Sequence, residues 1–498
     1  MATLTVALPE TKPDTRPSAL PAGRADRYAQ MVVLSLLLAA PAIMCLHSAV
    51  ANDPDIWWHM RTGEWVVQHH AIPRVDIFSG PYAGKPWQAY SWLFELLTFG
   101  LFHRFGLVGI VGYSVGMLLA ITCALSHLVR RLQADFTVVA LLVFSSCFAM
   151  GHLYTPRPWL FTILFFAIEL DILMQARRTG RMRELLWLPV IFALWSNIHI
   201  QFIDGLVVLG LAMIEPIAAT RGIGQKARLG FAPAAAAFAA SGLATLANPY
   251  SWHIYRVAYD LASQAGVLDK ITELRAIAFR GIVDWVVLAL AICATVVLAR
   301  QRQFRFFETA LLAFGIYVGF RSQRDVWVIA IGAVAILASV ISPRANLKDI
   351  QLPRFTQTFA AVAAALLVLA GFRVMHVNNA LLETQIEKTY PVKAVAAIQA
   401  GHYSGPLYNN FDWGGYLIWA LRMPVAMDGR AAFYGDQAID RSVATWGAEP
   451  DWKSDPLLTK AGLVIAPPKA ALSQLLRADS SYRLVYEDKI AVVFVAQR

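Results

Sequence analysis

Asn52-Asp53-Pro54-Asp55-Ile56-Trp57-Trp58-His59-Met60-Arg61 follows directly on the first long apolar run of the chain, Met31 to Val50. Two carboxylates at the mouth of a hydrocarbon-length segment are costly beside lipid, so they mark both a boundary and a candidate site. With 498 residues, 57% of them hydrophobic and only 15% charged, and a mean hydropathy of +0.51, the chain is too apolar for a soluble protein of its length. It reads as a polytopic membrane protein. The formal net charge of +10 sits in short basic clusters between apolar runs, the pattern of the positive-inside rule, which argues against nucleic acid as a partner. Cys45, Cys123, Cys147 and Cys293 all fall inside apolar segments, so neither a disulfide framework nor a zinc site is legible.

Requiring roughly 17 to 25 mainly apolar residues per span gives about eleven helices: Met31–Val50, Leu107–Leu128, Phe136–Gly151, Trp159–Gln175, Leu185–Ile198, Ile203–Ala219, Leu229–Ala247, Ile282–Ala299, Phe306–Phe320, Val326–Ile341 and Phe355–Val374. Trp92 to Phe105 is expected to lie at the interface, because a full span there inverts every later loop. Basic residues then occupy alternate loops: Arg24 and Arg27, Arg130 and Arg131, Arg177 to Arg183, Arg221 to Arg228, Arg300 to Arg305, and Arg344 to Arg354. These loops read as cytoplasmic. The amino terminus is then inside and the segment from His376 outside. Cleavage after Ala49-Val50-Ala51 is the alternative for the first span, which is long for a signal peptide.

Three regions are expected: a disordered cytoplasmic tail, 1–30, rich in Pro, Thr and Ala; a membrane domain, 31–375, with a long first outer loop, 51–106; and an extracytoplasmic α/β domain, 376–498. In the last, helices are expected at Val392–Gln399, Tyr416–Leu421 and Ala470–Arg477. Strands are expected at Pro406–Tyr408, Pro424–Met427, Leu463–Ala466 and Ile490–Val495.

This topology gathers polar residues on the outer face. They are Asp53, Asp55, Trp57, His59 and Arg61, then Arg157 in Thr155-Pro156-Arg157-Pro158, Asn197 and His199, Asn248, and the turn Arg321-Ser322-Gln323-Arg324-Asp325. Arg321 and Arg324 break the positive-inside pattern, and a guanidinium fork suits phosphate oxygens; an ion pair with Asp325 or a first-loop aspartate is the plainer reading. Arg157, Asn197 and His199 serve either a substrate or the free backbone groups at helix ends. Asp53 and Asp55 can cap the helix that follows. They can equally hold a divalent cation such as Mg or Mn through oxygen ligands, or supply a general base. In the outer segment, Phe411-Asp412-Trp413-Gly414-Gly415-Tyr416 and Met427-Asp428-Gly429-Arg430 read either as glycine turns or as surfaces facing the membrane domain. Asp412, Trp413, Asp428 and Arg430 are their candidate binding residues.

An inside amino terminus, Asp-Pro-Asp-x-Trp-Trp-His in a long first outer loop, many helices and an outer α/β domain together resemble the GT-C class of integral-membrane glycosyltransferases. The resemblance implies a polyprenyl-phosphate-linked sugar as donor and an essential acid in that loop. Phe411 to Tyr416 stands where the oligosaccharyltransferase catalytic subunit has Trp-Trp-Asp-Tyr-Gly. Here the aspartate precedes the tryptophan, and no other sign of sequon recognition is present, so asparagine-linked transfer is not implied. The whole set of motifs is similar to a group of bacterial GT-C-like membrane proteins of unassigned activity.

The expected function is inverting sugar transfer at the outer face of the cytoplasmic membrane to a glycan, lipid or protein acceptor. Asp53 or Asp55 would serve the acceptor hydroxyl, and Arg321, Arg324 and Arg157 the donor phosphate. The alternatives are a polysaccharide polymerase or ligase, a lipid or glycan transporter, and a non-catalytic envelope assembly protein. A transporter needs polar residues along a path, whereas here mid-membrane charges are few, chiefly Glu169 and Asp171.

Overall fold

The structure is a computed structural model and describes residues 24–46, 50, 53–225, 228–263, 271–341 and 354–497. Its helices follow in order: α1 (Arg24–Met44), α2 (Ile56–His69), α3 (Trp92–Phe105), α4 (Leu107–Leu132), α5 (Phe136–Ala149), α6 (Trp159–Thr179), α7 (Leu188–Trp195), α8 (Phe202–Thr220), α9 (Phe231–Ala244), α10 (His253–Ser263), α11 (Ile282–Ala299), α12 (Phe306–Arg321), α13 (Val326–Val340) and α14 (Arg354–Val374). Each of the eleven expected spans overlaps one of these helices. Seven helices among the described residues are long and apolar enough to cross a membrane. This is a multi-pass membrane protein.

Two elements differ most from the expectation. Helix α1 begins at Arg24, inside the expected tail, because Arg-Ala-Asp-Arg-Tyr-Ala-Gln holds good helix formers ahead of the apolar run; residues 1–23 lie outside the described ones. The fifth expected span is a broken element. A 3₁₀ stretch, Met182–Trp187, leads through Pro189 into the eight residues of α7, too few to cross by themselves.

Helix α13 is the axis of the bundle. Every residue from Val326 to Ala338 is buried, as an all-apolar helix surrounded by others must be. Gly315 on α12 permits the close crossing, since a Cβ there would stand 3.0 Å from Ile329 Cα. At the end of α6 far from Trp159, Arg177 donates to both oxygens of Glu215 at 2.6 Å and to Glu308 at 3.2 and 3.1 Å. One guanidinium thus clamps α6, α8 and α12. Asp171 pairs with Arg131 at 2.6 Å, while both carboxyl oxygens of buried Glu169 are without a partner among the described residues.

The C-terminal α/β domain carries helices α15 (Asn379–Ile386), α16 (Val392–Ala400) and α17 (Gly414–Leu421) around a four-stranded sheet. Its strands are β1 (Leu407–Asn409), β2 (Leu463–Ala466), β3 (Tyr482–Glu487) and β4 (Val492–Ala496), in the order β1-β2-β4-β3. β1 and β2 are parallel and the other pairs antiparallel. Buried on all positions, β2 reads as the apolar run of a central strand. Pro424–Met427 is not a strand of this sheet. Val425 instead exchanges backbone bonds with the first loop, donating to Phe78 O at 3.0 Å and accepting from Gly80 N at 3.1 Å. The domain and the first loop are therefore built into one another.

Candidate active site

Asp53 turns the chain into α2. Its Oδ1 accepts the amides of Asp55 at 2.9 Å and Ile56 at 3.1 Å, which satisfies donors that a helix start leaves open. Its Oδ2 accepts from Arg157 Nε at 2.5 Å. Asp53 thus commits both oxygens to the fold. Asp55 does not: Oδ2 accepts from Arg157 Nη1, but Oδ1 is buried and makes no hydrogen bond of full geometry among the described residues.

Arg157 reaches the pair from the turn between α5 and α6, where Pro156 and Pro158 interrupt helical bonding. Tyr113 donates to its carbonyl at 2.8 Å, and the Trp159 ring lies 5.0 Å from the guanidinium. The arginine goes to the carboxylates, not to helix-end carbonyls. Burial drives the Asp55 carboxyl up, Arg157 opposes this, and Asp53 and Glu273 add to the rise, so it is pushed up to about 6. Burial would lower Arg157, but Asp53, Asp55 and Glu273 outweigh it and raise the guanidinium above its ordinary range. It stays charged.

Behind the acids lies a buried, largely neutral layer. His59 Nδ1 stands 3.2 Å from Glu95 Oε1, with the Trp58 ring tilted against the imidazole, 3.6 Å between centroids. Burial, then Arg157, His199 and Arg430, holds His59 well below its usual range; burial holds Glu95 well above its own. On the other side, Trp195 donates to Thr162 Oγ1 at 2.8 Å, and that hydroxyl meets His199 Nδ1 at 2.8 Å. The hydroxyl can accept from the indole and still either donate to or accept from Nδ1, so the contact holds the ring in place in either neutral tautomer. Burial, Arg324 and Arg157 keep His199 neutral. Arg324 is thus near enough for its charge to act on His199.

The C-terminal domain closes the site. A Cβ on Gly429 would stand 1.6 Å from Asp55 Oδ1, and one on Gly415 2.5 Å from Pro54 O. Tyr390 donates to Asp53 O at 2.9 Å, and Trp57 lies edge-on between Tyr390 and Tyr416, 5.6 and 5.2 Å away. The indole nitrogens of Trp57 and Trp58 are buried and make no hydrogen bond of full geometry among the described residues; the Trp58 indole is still near enough to favour the Asp55 carboxylate, and that of Trp57 to act on the Tyr390 hydroxyl.

Several expected binding residues are committed to the fold. Arg430 makes a bidentate pair with Asp428, at 2.8 and 2.7 Å, and an ion pair with Asp76 at 2.7 Å. The rings of Phe78, Trp87 and Phe433 surround it. This buried joint fastens the first loop to the C-terminal domain. Arg61 and Arg422 share Glu64, a second tie. Asn197 accepts from Trp92 and donates to Ala193 O and Ala247 O, each at 2.8 Å, and Asn248 closes its own turn. The arginine turn is split: Arg321 points outward to Ala262 O at 3.0 Å, whereas Arg324 turns inward, 3.7 Å from Asp325. A joint phosphate fork of these two does not form. Asp412 is exposed and Trp413 buried beside α17.

The sequence reading missed Trp58, Glu95, Tyr390 and Gly429. Glu95 carried a signal, being an acid inside an otherwise apolar helix; the other three depend on contacts between segments distant in the chain.

Mg or Mn fits poorly at the aspartates. Both carboxylates are bonded to Arg157, and no group of three or more His, Cys, Asp or Glu among the described residues could hold a metal ion.

No family model matches the chain and no curated protein matches it. Solved structures do. The Archaeoglobus fulgidus oligosaccharyltransferase tethered to an acceptor peptide with an NVT sequon is 12% identical, with a TM-score of 0.55 over 95% of this chain and 74% of its own. The apo form of that protein gives 11% and 0.55 over 89% and 70%. ArnT from Cupriavidus metallidurans, bound to undecaprenyl phosphate, gives 14% and 0.49 over 95% and 98%. Over most of its length the chain thus shares the fold of the Archaeoglobus fulgidus oligosaccharyltransferase, a distant GT-C-like similarity.

Proposed function

We propose that this protein is an inverting glycosyltransferase of the cytoplasmic membrane, acting at its outer face, with the amino terminus inside and the domain from residue 376 outside. The donor is a polyprenyl-phosphate-linked sugar. The observation that carries this reading is Asp55 Oδ1, a buried carboxylate oxygen with no hydrogen bond of full geometry among the described residues, beside a permanent guanidinium and the Trp58 indole, which favours the charged carboxylate. Such an oxygen can take the proton of an acceptor hydroxyl. The hydroxyl oxygen bonds to the anomeric carbon from the face opposite the phosphate, the bond from that carbon to the phosphate oxygen breaks, and the proton passes to Asp55. The polyprenyl phosphate leaves with the bonding pair. Arg157 and inward-facing Arg324 offset its charge, where a low dielectric strengthens each interaction. Asp53 holds the helix start that aims Asp55. Exposed Asp412 offers a sugar-binding edge, the buried rings of Trp57, Trp58 and Trp413 back the site, and a glycan, lipid or protein acceptor enters beneath the C-terminal domain.

Purified protein in lipid nanodiscs, supplied with polyprenyl-phosphate hexoses and pentoses and a cell-envelope extract, should release polyprenyl phosphate. Absence of release from every such donor, with an unchanged envelope glycan profile in a deletion strain, would sink the reading.

A further inference from the structure

A pair of acids one residue apart invites a divalent ion, yet here a side chain of the same chain already stands between them. Arg157 spans the two carboxylates, Nε on Asp53 and Nη1 on Asp55. Its side chain is 10% exposed and those of the aspartates 1% and 9%, so one guanidinium offsets half of the charge of two ionised carboxylates away from bulk water. Two prolines and the Tyr113 bond hold the backbone that delivers it. Asp53 Oδ1 is already engaged by two amides and one oxygen of each acid by Arg157, so a cation would have to displace the guanidinium to take both carboxylates. Glu273 is close enough for its charge to act on Asp55 and Arg157, but it completes no three-residue group.

Resting on the transfer reading above, we propose that Arg157 is the resident cation of this site, supplying through its guanidinium the positive charge that a bound divalent ion would otherwise bring to Asp53 and Asp55. The consequence is chemical. A guanidinium is planar, permanently charged and suited to two oxygens at once, so a donor phosphate can share the fork without any ion being recruited from solution. The charge is always present, and its position is set by the fold.

The test is ion binding, independent of any transfer assay. The full-length protein in detergent is titrated with manganous ion, followed by its electron paramagnetic resonance, beside the Asp53→Asn/Asp55→Asn double variant. The two should behave alike, with no saturable uptake up to about 1 mM, the weak end of protein cation sites. Saturable uptake by the wild type that the double variant lacks would overturn the proposal and leave the transfer reading intact. Arg157→Gln removes the cation and leaves two buried carboxylates, so it should gain manganese binding and a manganese-dependent rise in melting temperature. A folded Arg157→Gln protein that gains neither would also overturn it. Should that variant fail to fold, the wild-type titration still decides.

Discussion

Gly429 faces Asp55 so closely that a Cβ added to it would stand 1.6 Å from the aspartate's Oδ1. The two residues come from different domains, and their approach makes the C-terminal domain one wall of the acid's pocket. Gly429→Ala should push the carboxylate off Arg157 or lift the domain. Overpacking of this kind costs about 1 to 3 kcal/mol. A lowered melting temperature together with loss of transfer is expected, and a silent variant would show that the wall yields freely.

Asp55→Asn removes charge at nearly constant shape and should lower transfer on the order of 10² to 10⁴ fold, the range for a missing general base. Asp53→Asn should lose less, because an asparagine oxygen still accepts from the two amides at the helix start. Rates measured on both variants in the same membranes decide the assignment, and equal loss would contradict it.

The raised carboxyl of Asp55, about 6 against an ordinary 3.8, sets a pH dependence. The base form appears as pH rises through about 6, so transfer should climb across that range and then level, and the climb should vanish in Asp55→Asn. Stability runs the other way. A folded-state value above the unfolded one favours the fold most below 3.8, and the advantage is gone above about 6. Thermal melts should therefore show the wild type losing ground to Asp55→Asn as pH rises through this window.

Arg321 and Arg324 should separate. Arg321→Gln, at an exposed position, is expected to leave donor binding unchanged, whereas Arg324→Gln should weaken it. Affinities for a polyprenyl-phosphate sugar in nanodiscs check both, and equal effects would restore the expected fork.

Alternating basic loops require the C-terminal domain to lie outside. Ala478 is exposed, so Ala478→Cys in a background without the four native cysteines should react with an impermeant maleimide in intact cells. Labelling only after lysis would reverse the orientation.

The sequence by itself determined the membrane class, the eleven helical regions and the candidate acids. Apolar runs of hydrocarbon length and loop charge are local properties that need no knowledge of neighbours. It also pointed to Arg157, whose setting between two prolines is unusual in any context. It left open which acid caps and which is free, because that depends on a guanidinium arriving from another loop. Val425 read as a strand by composition, yet its backbone partners lie in the first loop; strand pairing is decided by what the chain brings alongside. Asp428 and Arg430 looked like binding groups because charged residues near a glycine turn usually face solvent. Only the tertiary structure decided that Asp76 and three aromatic rings enclose them. A buried charge is stable only where its partners converge, and that convergence is a property of the folded chain.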